Sequence, residues 1–428
     1  MKKRVIFAFI IIVVLVGIIL FFRKDQKPIL EQIPSEKEQV FEILKNNIQE
    51  DFLNWIDTNY PKAISKLYKG LQKNDYEESI WHDVTGYSFL VLQDFFENKY
   101  DFMANVKVLD TKNPATLSFV GDVSLADNWS IMPAYDAREK KIYGILSNEI
   151  VDIMKKSDLM VVNSEFTVSN RGSAMAGKMY TFRAKPERLS IYEEMGVDLV
   201  TLANNHVYDF GRDAFLDMLK HLDEYKIPHI GAGENIEEAS RPYYFIINGY
   251  KVAFLNATRA EKYVLTPGAT ETSEGVFYCY DPTNMIQKIQ EVRKDSDMVI
   301  SIIHFGKEGS HELEKEQMES ARAYIEAGSD MVIGHHAHTL QGIEFYQHKP
   351  IIYNLGNFIF NSDVDETAIF QVRLKDNKEL EYYIIPALQQ NEYTDILIGK
   401  GKQKVIQELN SWSIHARITE EGKIEEFN

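Results

Sequence analysis

Seven apolar runs, each closed by polar residues, limit what this chain can fold into: "ATLSFVGD", "DLMVVNSE", "DLVTLANNH", "YKVAFLNAT", "DMVISIIHFG", "DMVIGHHAH" and "PIIYNLGNF". A strand with one wet face alternates apolar and polar residues, whereas a run that is apolar throughout is a strand buried on both faces. Amphipathic stretches such as "SIYEEMG", "DAFLDMLKHLDEY" and "EKEQMESARAYIEAG" separate several of the runs. "GENIEEA" offers Asn235 as a helix cap with Glu238 after it, the spacing of a capping box. From Thr116 onward, this alternation of strand and helix predicts an α/β fold with a substantial sheet.

The runs end in a recurring chemistry. Asp122 closes the first, Glu165 the second and Asn204-Asn205-His206 the third. Asn256 closes the fourth, His304 the fifth and His335-His336-x-His338 the sixth, and Asn354 and Asn357 flank the end of the seventh. In α/β sheets, sites gather where strands end and loops converge. Carboxylates, an amide oxygen and neutral imidazoles are hard-to-borderline ligands, so the set suits Mn, Fe or Zn better than a thiolate zinc site does. Glu165 has two oxygens and can bridge two ions. Taken singly, Asp122 reads equally as a turn residue, Glu165 as a loop charge and His304 as a structural imidazole. Three of eleven histidines beside one apolar strand have no packing purpose, and they point to a site.

Net charge is -17, which excludes a nucleic-acid binder lacking a basic face and sets any polyanionic substrate a repulsion to overcome. Local cations come from "NRGSAMAGKMYTFRAKPERL", with Arg171, Lys178, Arg183, Lys185 and Arg188. This stretch reads either as a flexible loop gripping carboxylate or phosphate, or as a solvated charge run. Arg171, Arg183, Lys185 and Asn357 are the candidate substrate contacts. The single cysteine, Cys279, lies in "GVFYCYD" and reads as a buried, inert thiol.

The chain opens "MKKRVIFAFIIIVVLVGIILFFRKDQK". Its uncharged run, Val5 to Phe22, is about 27 Å long as a helix, the thickness of a bilayer core, and no small-residue cleavage site follows it. Residues 1–24 are therefore expected to be an uncleaved single-pass signal anchor, with the bulk of the chain outside the cell. Residues 25–35 read as a linker. Residues 36–110 read as a helical accessory region, in which Val40, Ile43, Leu44, Ile48, Phe52, Leu53 and Ile56 mark an apolar face. Residues 111–428 form the α/β domain.

The motifs "FVGDVSLADNW", "NSEFTVSNRG", "LANNHVYDFG", "IPHIGAGENIEEA", "IIHFGKE", "VIGHHAHTLQG" and "IIYNLGNFIF" resemble, in this order, the CapA (PgsA) family associated with poly-γ-glutamate capsule synthesis. The resemblance runs from about Ala115 to Phe370. It implies kinship with calcineurin-like metallophosphatases, a four-layer α/β/β/α sandwich, and a site for one or two divalent ions. The implied ligands are Asp122, Glu165, Asn205, His304, His336 and His338. His206 is the implied general acid or transition-state stabiliser, and Asp209 the group that orients it. Metallophosphatases open with Asp-x-His, whereas Ser124 stands in the third position here, so one imidazole is missing. The implied function is a metal-dependent hydrolase or transferase acting on an anionic surface polymer, in company with other capsule synthesis subunits. A non-catalytic polymer-binding or export component is the alternative.

Overall fold

The computed structural model describes residues 34–45, 48–73, 79–99, 105–261, 265–361 and 363–427. The expected membrane anchor, residues 1–24, lies outside them. Among the described residues, no helix is long and apolar enough to cross a membrane.

The chain divides into two compact units between Ile80 and Trp81. In the first, helices Glu36–Leu44, Glu50–Asn59 and Ala63–Gln72 bury Val40, Leu44, Phe52, Leu53, Ile56, Ile64 and Leu67. Ser35 and Glu38 close a reciprocal capping box on the first of these helices. Ile43, expected on the apolar face, is 51% exposed, because the buried stripe runs through Val40 and Leu44 one turn apart.

The boundary expected at 110/111 is not the boundary of the compact units, since residues 81–110 belong to the larger one. Helix Phe89–Phe96 carries Asp94, which is buried and accepts a hydrogen bond from the fully buried Lys251 at 2.7 Å. Strand Val106–Val108 adds a parallel edge to Tyr243–Ile247. Apolar periodicity marks a helix face for burial without saying which body it buries against.

The larger unit holds two main mixed sheets. One has seven strands, in the order Val106–Val108, Tyr243–Ile247, Tyr250–Thr258, Met298–Phe305, Met331–His336, Lys349–Ile352, Ile343–Tyr346. The other has ten, with Ala115–Val123, Leu159–Ser164, Leu199–Thr201 and His229–Ile230 parallel and adjacent. Phe119, Val161 and Leu199 of the second sheet share a core with Phe254, Ile300, Ile302 and Ile333 of the first. The alternate residues face outward. Val162 and Val200 pack with Met154, Met195 and Phe215 from helices on one side, and Val299, Ile303 and Val332 pack with Ile289, Tyr324 and Ile325 on the other. The layers are thus helix, sheet, sheet, helix. Each run is apolar throughout because one face meets the other sheet and the opposite face meets helices.

Six of the seven runs are single strands. The seventh splits: Lys349–Ile352 joins the seven-stranded sheet, and Asn357–Ile359 crosses to pair with Ala115–Val123 in the other. The Asn235 side chain caps its short helix by accepting the Glu238 N–H at 3.0 Å, but the Glu238 carboxylate takes the Glu234 N–H, so the box is shifted by one residue. Cys279 is fully buried, and burial pushes its thiol up to about 12, as an inert residue requires.

Two glycines let the strand ends close on each other. A Cβ on Gly121 would lie 2.0 Å from the Gly356 carbonyl oxygen, and one on Gly334 would lie 2.0 Å from that of Tyr353. Each directly precedes a site residue, Asp122 or His335. Gly334→Ala is therefore expected to destabilise the protein by about 1–3 kcal/mol through overpacking against rigid backbone. The shift in the urea unfolding midpoint measures this.

Candidate metal centre

Strand register assembles the site. Asp122 lies level with Asn163 on one neighbouring strand and with Asn357 on the other, while His304 lies level with His335 and Phe305 with His336. Beyond the strand ends, the loop carrying Asn204, Asn205 and His206 is held by Asn256. The Asn256 amide oxygen accepts the Leu202 and Ala203 N–H groups at 3.1 and 2.7 Å, and its nitrogen donates to the Ile302 carbonyl at 2.9 Å. His336 and His338 both have left-handed backbone, with φ of 93° and 56°. That conformation costs a side-chain-bearing residue about 1–2 kcal/mol, and such strain concentrates at functional sites.

The expected ligand residues come together. Asp122 and Glu165 are fully buried, and Asn205, His304 and His336 are nearly so. Glu165 Oε1 has no hydrogen-bond partner. It lies 3.6 Å from His304 Nε2, 3.6 Å from His338 Nε2 and 3.9 Å from His206 Nε2. His336 Nδ1 and Asn205 Nδ2 are also buried without partners. The donor atoms of Glu165, His304 and His336 all lie within 4.8 Å of one another, and so do those of Asp122, Glu165 and His338. Two ligands of one transition-metal ion, each about 2.1 Å from it, stand about 3.0–3.4 Å apart. The spacing around Glu165 Oε1 is too long for hydrogen bonds and close to that of donors sharing a cation. The residues present therefore fit a divalent ion, and the two overlapping donor sets that share Glu165 fit one ion or two.

The electrostatics agree. Burial, then the charge of Asp122, pushes the Glu165 carboxyl well above the usual range. Burial alone would raise Asp122 too, but hydrogen bonds from His335 and His338 outweigh it and hold that carboxyl well below its ordinary value. Burial opposes a proton on His338, yet Glu165 and Asp122 push its pKa up to about 10. His304 is lowered well below its usual value by burial, and His336 is lowered to about 3, also chiefly by burial. Both are neutral at pH 7, the form that binds metal.

Beside the cluster, His206 Nδ1 donates to Asp209 Oδ2 at 2.7 Å, which directs Nε2 toward Glu165. Asp209 also accepts the Phe182 N–H at 2.7 Å and pairs with Lys178 Nζ at 2.7 Å. The Phe182 ring packs on the His206 imidazole, with centroids 4.4 Å apart. Burial lowers the His206 pKa, keeping the ring neutral.

Other candidates make different contacts. Arg171 binds Asp217 through two nitrogens, at 2.8 and 2.5 Å. Arg183 lies over the Phe210 ring, and the Lys185 N–H donates to Asp127. The Asn357 amide is engaged at both ends, with its oxygen 2.9 Å from His338 Nδ1 and its nitrogen donating to Asp365, so it holds an imidazole in place. Of the basic stretch, Lys178 reaches the site. Two contributors, Asn163 and Glu308, were not singled out from sequence, and His335 reads there as one of the clustered histidines without a role of its own. Asn163 donates to both Asp122 and Glu165, at 2.8 and 3.1 Å; His335 Nδ1 lies 3.0 Å from Asp122 Oδ1; and the Glu308 carboxylate approaches His336. Asn163 could have been found as the partner residue in "NSE", two positions before Glu165 on the same strand end.

Residues 116–362 match the family model described as "Bacterial capsule synthesis protein PGA_cap". The chain is 30% identical over 317 residues to the PGA biosynthesis protein CapA of Bacillus subtilis (strain 168), covering 72% of this chain and 80% of that one. It is 29% identical over 267 residues to the capsule biosynthesis protein CapA of Bacillus anthracis, covering 60% of this chain and 64% of the relative. Among solved structures, a 5'-nucleotidase from Candida albicans SC5314 superposes with a TM-score of 0.34 at 11% identity over 65% of this chain and 53% of that one, a likeness too slight to bear on function.

The depressed pKa of His336 sets a pH dependence in the metal-free protein. Between pH about 6.5 and about 3, the unfolded chain binds a proton at this imidazole that the folded chain refuses, so stability falls as pH falls. His336→Gln should flatten the urea midpoint across that window relative to wild type.

Proposed function

The chain belongs to the bacterial capsule synthesis protein family PGA_cap, and from that premise we propose that it is a metal-dependent hydrolase or transferase of the cell surface, acting on an anionic polymer of the poly-γ-glutamate class. One observation carries the metal-dependent reading: Glu165 Oε1 is buried, unpaired and surrounded by three imidazole nitrogens at 3.6–3.9 Å. A buried carboxylate oxygen that no hydrogen bond satisfies is costly, and a bound cation would remove that cost.

Asp122, Glu165, Asn205, His304, His336 and His338 would hold the ion or ions, with Mn, Fe or Zn suited to this donor set. When bound, such an ion polarises a carbonyl or phosphoryl oxygen and acidifies water. The protein's own part is to orient and to move a proton. Asp209 fixes the tautomer of His206 and leaves Nε2 unprotonated, so that Nε2 takes a proton from the attacking water and then passes it to the leaving group. Lys178 balances the Asp209 charge from the far side. The scissile bond in this reading is the amide of a poly-γ-glutamate chain, with a phosphodiester of a wall polymer as the variant.

The location belongs to the same proposal. The apolar run from Val5 to Phe22, with basic residues on both flanks, supports a single-pass anchor with the bulk of the chain outside the cell. Other capsule synthesis subunits are the partners such a position brings within reach.

Purified full-length protein should contain bound transition metal by elemental analysis. His336→Ala and His338→Ala should each abolish metal occupancy with the fold retained by circular dichroism. His206→Ala should keep the metal and lose about 10²–10⁴-fold in turnover of poly-γ-glutamate. Metal-free wild-type protein that binds the polymer without cleaving it would instead make this a binding or export component.

A further inference from the structure

The cluster holds three carboxylates, and they differ in exposure. Asp122 and Glu165 are fully buried, whereas the Glu308 side chain is 59% exposed. Glu308 Oε1 nevertheless lies 4.0 Å from His336 Nε2. Its carboxylate and one nitrogen each of His336 and His338 form a third donor set whose atoms all lie within 4.8 Å of one another.

This approach is built into the fold. The Gly309 N–H, next to Glu308, donates at 2.8 Å to the carbonyl of Ala337, the residue between the two imidazoles. Gln341 Nε2 donates to the Ser310 carbonyl at 2.8 Å, and Gln341 Oε1 is itself held by Gln317 at 2.8 Å. His311 Nδ1 lies 2.7 Å from the Leu340 carbonyl. The loop bearing Glu308 is thus fastened to the histidine loop through the three residues that follow Glu308. Independently, His336 is only 6% exposed, and its Nδ1 is buried with no hydrogen-bond partner, so no protein group satisfies this imidazole at that atom.

His336 and His338 supply two of the four donors that a transition-metal ion takes. We propose that Glu308 is a further ligand, from the solvent side, to a cation held by His336 and His338. A cation held there would offset the repulsion between Glu308 and an anionic substrate. This inference rests on the metal reading above.

The test is a titration of metal-stripped full-length protein with Mn²⁺ alone, following free Mn²⁺ by electron paramagnetic resonance, and repeated with Zn²⁺ by calorimetry. Glu308→Gln should weaken the ion by about tenfold or more, the scale on which metal sites respond to lost support. Glu308→Asp should fall between, and Glu312→Gln, a control further along the same loop, should match wild type. Because Glu308 is exposed, the metal-free melting curve of Glu308→Gln should also match. Wild-type affinity in Glu308→Gln would overturn the Glu308 assignment and leave the inner centre standing. Failure of wild type to bind either ion would overturn both.

Discussion

The architecture of the larger unit rests on one apolar layer shared by two sheets. Phe119 and Val161 meet Phe254, Ile300 and Ile333 across it. A slip of one residue in any of these strands would turn its inward set outward, so the layer holds each strand in register against its neighbours. Register in turn decides where each strand leaves the apolar interior. Asp122 level with Asn163, and His304 level with His335, are consequences of that packing, and the site is the polar rim where the shared layer ends.

The rim concentrates groups that a protein interior otherwise avoids. Two carboxylates are fully buried within reach of five imidazoles, two of which stand on left-handed backbone. Protons alone satisfy this set poorly: Glu165 is driven toward its neutral form, His338 toward its charged form, and His336 away from any proton at all. Strain and unmet charge gathered in one place mark functional chemistry, because stability alone selects against them. A divalent ion held here would offset the buried negative charge and use the neutral imidazoles as ligands.

Around this centre the protein spends ordinary polar contacts on orientation. Asn163, Asn256 and Asn357 each use both ends of an amide to hold a carboxylate, a loop or an imidazole. An amide carries donor and acceptor without net charge, so it adds direction without altering the electrostatic balance. Lys178 does the opposite, since it brings a charge from a largely exposed stretch to offset Asp209 behind His206.

The α/β class, six of the seven strands and the residues that meet at their ends were legible in the chain. An apolar run that stops at a polar residue records both burial and the point where burial ends. The helices carried the same record in their periodicity. Periodicity says that a face is buried and is silent about its partner. Only the tertiary structure decided that residues 81–110 belong with the larger unit, where the buried Lys251 has Asp94 as a partner. It alone split the seventh run between two sheets, engaged Arg171 with Asp217 and Asn357 with His338, and brought Lys178 and Glu308 to the centre. A side chain's partner is set by which distant segments pack together, and that distance is not written in the spacing of residues along one segment.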